Sequence, residues 1–233
     1  MNRKIPVIAL LVLLNTAFVI AQEKITVDSI LEQMTQKEKN TETIELEFIQ
    51  SVYFLVIKET NAMSGKIIFK RPGKINFQVF ASTAVNEVKQ TIVSNGDMLW
   101  IFNVQANQVY VDKWKNWKGI GYFMPGMYNP KGKTSDLKKY FNFTLIEETA
   151  ESYKLLLKLK KNIDMGPQLP IKGAFDFNLW ISKKDLNLIK SELINENVTV
   201  VTGIKSYKIN EKYADDVFNF KIPQDAEVLR LFK

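Results

Sequence analysis

Gly65-Lys-Ile-Ile-Phe-Lys-Arg-Pro-Gly-Lys-Ile-Asn-Phe-Gln-Val79 is an alternating apolar and basic run that breaks at Arg-Pro-Gly and resumes as a second alternating run. A period of two marks a strand with one face toward a core. Pro72 fixes its own φ and biases Arg71 toward extended geometry, while Gly73 permits a tight turn, so the stretch predicts two strands joined at a corner. Ile67 and Phe69 share one face of the first strand. Arg71 continues that spacing and places a permanent guanidinium charge beside them.

Working outward, the same grammar recurs. Thr91-Ile-Val-Ser-Asn-Gly-Asp-Met-Leu-Trp-Ile-Phe-Asn103 reads as a strand, an Asn-Gly turn and a second strand, and Asn107-Gln-Val-Tyr-Val111 follows it. Strands are expected over 44–57, 65–71, 74–80, 87–94, 98–103, 108–112, 141–146, 153–159, 174–181, 186–194 and 198–208. Ser29-Ile-Leu-Glu32 has capping-box spacing, and Ile30, Leu31 and Met34 fall on one side of a helix of about three turns ending near Asn40. About eleven strands with hairpin-like connections predict a mainly β fold. Its form is an open, strongly curved antiparallel barrel with an N-terminal helix. No repeat or low-complexity linker divides the chain.

Residues 1–21 read as a secretory signal peptide: Arg3 and Lys4 precede an apolar run that ends in Val19-Ile-Ala21. A membrane anchor is the other reading of that run, but Asn15 and Thr16 interrupt it. Residues 22–233 then form a single domain, long enough for a sizeable core. The full chain carries a formal charge of +7, spread over Lys113/Lys115, Lys131/Lys133 and Lys158/Lys160/Lys161. Such a balance describes a solvated surface, with attraction to an anionic membrane or an acidic partner as the second reading. No nucleic-acid-binding module is recognisable.

The chain has neither Cys nor His. An exported chain without Cys has no disulfides, so its stability must come from packing. Missing both residues removes Ser-His-Asp and Cys-His nucleophiles and nearly all zinc sites. The carboxylate pairs Asp215/Asp216 and Glu147/Glu148 point to opposite strand faces, and Glu45/Glu47 read as a solvent face. There is no Gly-rich phosphate loop. The expectation is a binding protein, not an enzyme, with no metal and no cofactor; an envelope hydrolase would need a carboxylate site that no spacing supplies.

A concave face lined by Ile67, Phe69, Ile75, Phe77 and Ile92 would be apolar, and an ordinary filled core is the default for each of these residues. Trp114-Lys-Asn-Trp-Lys-Gly-Ile-Gly-Tyr-Phe-Met-Pro-Gly-Met-Tyr128 is dense in aromatics and Met but broken by Gly119, Gly121, Pro125 and Gly126. It fits neither a long helix nor a regular strand. It reads equally as an adaptable apolar cover or as a structural loop over the core.

The Lys-Arg-Pro corner, the Val-Ser-Asn-Gly-Asp-Met-Leu-Trp hairpin and the following Gln-Val strand match in order and spacing the core of the periplasmic lipoprotein carrier family called LolA, which this chain resembles. Glu47-Phe-Ile-Gln50 and Phe218-Asn-Phe-Lys-Ile-Pro223 extend the resemblance over nearly the whole mature chain. The resemblance implies a periplasmic, monomeric carrier that sequesters the acyl chains of lipoproteins. It implies cargo received from an inner-membrane lipoprotein-releasing transporter and passed to an outer-membrane receptor. It also implies that the N-terminal helix and short helices from the 114–128 segment lid the open barrel, with Phe123, Met124 and Met127 on the cover. Arg71 reads either as a latch bonding lid carbonyls, which the resemblance favours, or as a strand-end Arg paired with a surface carboxylate. The receptor relatives are lipoproteins with a Cys after the leader; Gln22 stands there in this chain. A lipid-binding sensor on the same fold is the alternative. Two features depart from the family pattern: the apolar run Tyr53-Phe-Leu-Val-Ile57 and the long connection over 36–43.

Overall fold

The computed structural model describes residues 25–82, 87–116, 137–160 and 174–231. The leader expected over residues 1–21, Phe123, Met124, Met127 and most of the Gly-rich segment lie outside these residues. Twelve strands form one sheet, curled but not closed. They are β1 (Thr43–Phe54), β2 (Glu59–Lys70), β3 (Lys74–Phe80), β4 (Val88–Asn95), β5 (Met98–Asn103), β6 (Gln108–Lys113), β7 (Phe141–Glu148), β8 (Ser152–Leu159), β9 (Asp176–Ser182), β10 (Leu188–Ile194), β11 (Val198–Ile209) and β12 (Glu227–Arg230). The spatial order is β12-β6-β5-β4-β3-β2-β1-β11-β10-β9-β8-β7. Two runs of sequential antiparallel hairpins are thus joined by the long β1–β11 pairing, and β12 adds to β6 in parallel.

Helix α1 (Val27–Lys39) lies on one face of this sheet, followed much later by a helical turn, α2 (Leu137–Tyr140). The capping box sits one turn before the expected Ser29-Glu32. Thr26 has extended backbone and exchanges hydrogen bonds with Ser29: the Ser29 N–H donates to Thr26 Oγ1 at 3.1 Å, and the Thr26 N–H donates to Ser29 Oγ at 3.4 Å. Ser29 is already helical, so it fills the third position of the box, not the cap. The helix ends at Asn40, as its sequence predicts, and buries Ile30, Leu31 and Met34. No helix among the described residues is long and apolar enough to cross a membrane.

The expected strand over 44–57 is shorter at its far end. β1 stops at Phe54, residues 55–58 turn with Lys58 at φ 56°, and β2 begins at Glu59. The turn carries no Gly, Pro or Asn, and the polar start of β2 lacks alternation, so neither feature shows in the sequence. β12 escapes a sequence reading for a similar reason: four residues are too few to display a period.

The opposite face of the sheet is strapped by the C-terminal segment. Asp215 and Asp216 open a 3-10 turn there, Asp215–Phe218, and do not lie on a strand. Lys70 and Lys74 both reach Asp215 Oδ1, at 3.1 and 2.9 Å, and Asn76 Nδ2 donates to the Val217 carbonyl at 2.7 Å. Phe218 is fully buried, and Phe220 packs on Phe102. Glu45, expected on a solvent face, is instead buried beneath this strap. Its carboxylate meets Lys66 at 2.9 Å, Lys208 at 2.8 Å and the Tyr213 hydroxyl at 2.8 Å. Burial opposes the charge, but hydrogen bonds from Lys208, Lys66 and Tyr213 outweigh it and pull the carboxyl down to about 2. Glu45 is therefore a structural anion.

Candidate functional site

Strand register brings the five expected lining residues onto one face. Ile67 lies opposite Phe77 across β2–β3, and Phe77 lies opposite Ile92 across β3–β4. Leu46 and Ile101 extend this row at its two ends. Phe69 and Ile75 pair in the next row, flanked by Ile44. Ile67, Phe69 and Ile75 are buried, whereas Phe77, Ile92 and Ile101 are only partly covered. Apolar side chains that are incompletely buried on the inside of a curled sheet form the part of this face that a greasy ligand could still contact.

Phe77 is held by a specific packing arrangement. A Cβ at Gly65 would lie 2.5 Å from Phe48 Cζ and 2.7 Å from the Gln78 carbonyl oxygen, so only glycine lets the Phe48 ring cross β2 at this point. That ring then reaches Phe77 at a centroid distance of 5.8 Å, tilted by 59°. The tilted pairing favours ring edges against ring faces.

Ile30, Leu31 and Met34 of α1 belong to the same apolar cluster as Ile67, Phe69 and Ile75. The helix therefore covers part of this apolar face. Its C-terminal turn is tied on both flanks. Lys37 Nζ donates to the Asp185 carbonyl at 2.7 Å and to Asn187 Oδ1, and lies 5.4 Å from the Tyr207 ring centroid. Burial lowers the Lys37 pKa and the Asp185 carboxylate works against that shift. On the other flank, Glu38 Oε1 is 3.7 Å from Arg71 Nη2. The N-terminal turn is tied by the exposed pair Asp28–Lys138, at 2.6 Å.

The Arg71-Pro72-Gly73 corner is itself packed. The Arg71 N–H donates to the Glu42 carbonyl at 3.0 Å, and the Arg71-Pro72 peptide is cis. Gly73 has φ 73°, and a Cβ there would sit 2.6 Å from Trp114 Nε1. A Cβ on Gly96, in the next turn, would be 3.0 Å from the Pro72 carbonyl oxygen. Trp114 is buried and begins a short 3-10 turn, Trp114–Asn116, so the chain enters the Gly-rich segment directly beside the corner.

Sequence reasoning missed Glu38, although its signal was available. Ile30, Met34 and Glu38 recur at spacings of four, which places an acid on the apolar stripe of α1. A buried carboxylate on such a stripe implies a basic partner. Among the described residues no group of three metal-ligating side chains occurs. Two clefts lie away from the inner row: one of about 440 Å³ beside Val27 and Phe141, and one of about 600 Å³ beside Asn76, Phe102 and Phe220 under the strap.

Comparison with known proteins accords with this architecture. The family model described as "Outer membrane lipoprotein carrier protein LolA" matches residues 39–221. An outer-membrane lipoprotein carrier protein of Dechloromonas aromatica (strain RCB) is 31% identical over 201 residues, covering 85% of this chain and 86% of that protein. The protein of the same name from Coxiella burnetii (strain CbuK_Q154) is 23% identical over 203 residues, with 85% of each chain covered. Among solved structures, an uncharacterized conserved protein from Thermus thermophilus superposes with a TM-score of 0.54 at 12% identity. The match covers 87% of this chain and 98% of that one, a likeness of fold alone.

Proposed function

The chain belongs to the LolA family of outer membrane lipoprotein carrier proteins, and from that membership we propose that it is a periplasmic carrier of lipoproteins. It shelters their acyl chains against the inner face of its curled sheet and hands them to an outer-membrane receptor. The observation that supports this reading is the apolar row that runs from buried Ile67 to the only partly covered Phe77, Ile92 and Ile101, beside the face on which α1 packs.

The energetics favour such an exchange. Sheltering each CH₂ from water is worth about 0.8 kcal/mol, so one chain of about sixteen carbons represents on the order of 12 kcal/mol. Unaided passage through water is correspondingly slow. If acyl chains displace Ile30, Leu31 and Met34 from the sheet, part of the gain is offset by exposing those side chains. Net affinity falls, and release to a receptor needs no energy source in the periplasm. In this reading Arg71 acts as the latch by holding Glu38 of α1. Phe123, Met124 and Met127 complete the cover, and catalysis plays no part.

The test is native mass spectrometry of the protein purified from its own periplasm, together with binding of a fluorescent fatty acid to the delipidated protein. Co-purifying acylated protein and saturable fatty-acid binding are expected. A protein that carries no lipidated material and binds no fatty acid would overturn the carrier reading.

A further inference from the structure

The apolar run that departs from the family pattern is the most exposed hydrophobic feature of the described molecule. Tyr53, Phe54, Leu55, Val56 and Ile57 are 39%, 36%, 40%, 79% and 60% exposed. They form the end of the β1–β2 ribbon, and the ribbon outruns its neighbours. Among the described residues, β2 pairs with β3 only from Ser64 onward, and residues 59–63 have β1 as their sole strand partner. β11 begins at Val198, opposite Phe54, and the Leu55 N–H donates to the Asn197 carbonyl, at 2.9 Å, just past that pair. Residues 55–58 thus turn beyond the end of the sheet pairing.

We propose that this hairpin tip is a shallow contact for a phospholipid bilayer, separate from the acyl-binding face. Tyr53 and Phe54, the last two residues of β1, point to opposite sides of the ribbon, and Leu55, Val56 and Ile57 lie in the turn, so both sides and the end of the hairpin carry apolar side chains. A protein groove covers one side of such a ribbon; a lipid layer surrounds it. Exposed Glu59, Thr60 and Asn61 then form a polar collar that limits depth to the headgroup boundary, where Tyr53 is a favoured residue. Exposed Ile194, at the adjoining end of β10, widens the apolar patch. Lys58, Glu59 and Glu196 carry mixed signs around the tip, so the contact is hydrophobic in character and does not depend on anionic lipid.

The chain has no Cys, which permits a clean test. A single Val56→Cys variant carrying an environment-sensitive fluorophore is mixed with phosphatidylcholine vesicles, with a Lys205→Cys variant as a control. Blue-shifted, brightened emission from position 56 alone is expected. In flotation, the double change Val56→Ser/Ile57→Ser should lower vesicle partitioning by about tenfold or more while leaving fatty-acid binding unchanged. Phe77→Glu should do the reverse, so failure of this contact and failure of the carrier reading are told apart. No response at position 56, or equal flotation of the wild type and the double variant, overturns the proposal. Binding that appears only with phosphatidylglycerol and ignores the tip changes overturns it too, as does a wild type that binds no vesicles.

Discussion

Arg71 Nη2 and Glu38 Oε1 face each other at 3.7 Å, joining the corner between β2 and β3 to the last turn of α1. One partner is half-exposed on the sheet side and the other is buried on the helix side. A charge pair so placed does two jobs. It stabilises a carboxylate that burial would otherwise penalise, and it connects the packing of α1 to the corner from which the Gly-rich segment departs.

Replacing Arg71 by Leu keeps the apolar stem contacts and removes the cation facing Glu38. The closed arrangement should lose roughly 1–3 kcal/mol. Hydrogen–deuterium exchange across α1 should accelerate by about tenfold for each 1.4 kcal/mol. Fatty-acid release to an acceptor should slow, because the competitor for the inner face has been weakened. Arg71→Lys should lie between wild type and Leu, since an ammonium does not reproduce the planar fork. Unchanged exchange in α1 would remove the latch from the mechanism.

Phe77→Glu should abolish fatty-acid binding with the sheet intact, because this side chain is only partly covered and water can reach the new carboxylate. Phe69→Ala, at a buried position in the adjoining row, should instead lower stability by about 3–5 kcal/mol. Urea titrations alongside binding isotherms separate the two effects. If Phe77→Glu unfolds the protein, the inner row is ordinary core.

Gly73→Ala combines a positive φ with a collision against Trp114 Nε1. A loss of about 1–3 kcal/mol is expected, accompanied by a change in tryptophan fluorescence as Trp114 leaves its buried site. A melting temperature and emission spectrum matching the wild type would show that the corner relaxes freely.

Glu45 sets an acid-side limit on stability. Its folded pKa of about 2 lies below the ordinary 4.5, so the charged form is favoured by folding. Its contribution is complete above about pH 5, declines as the unfolded chain takes up protons below the ordinary value, and is gone once pH has fallen through about 2. Wild type should therefore exceed Glu45→Gln in urea stability at neutral pH, and the gap should close across that window. A gap that stays constant between about pH 6 and about pH 2 would contradict the ion cluster.

The period-two pattern in the sequence was enough to place Ile67, Phe69, Ile75, Phe77 and Ile92 on one sheet face, because side-chain alternation is a property of each strand alone. The 3.6-residue stripe of α1 and the Arg-Pro-Gly corner were legible for the same local reason. Pairing between distant segments was not. Only the folded chain brings Glu38 to Arg71, encloses Glu45 between Lys66, Lys208 and Tyr213, and lays β12 beside β6. Periodicity says which face of an element is apolar but not what comes to cover it, and the charge that answers a buried carboxylate can lie anywhere along the chain. The β1–β2 tip shows the same division from the other side: Tyr53 to Ile57 read as one continuing strand until the tertiary structure turned the chain at 55–58 and left those side chains exposed.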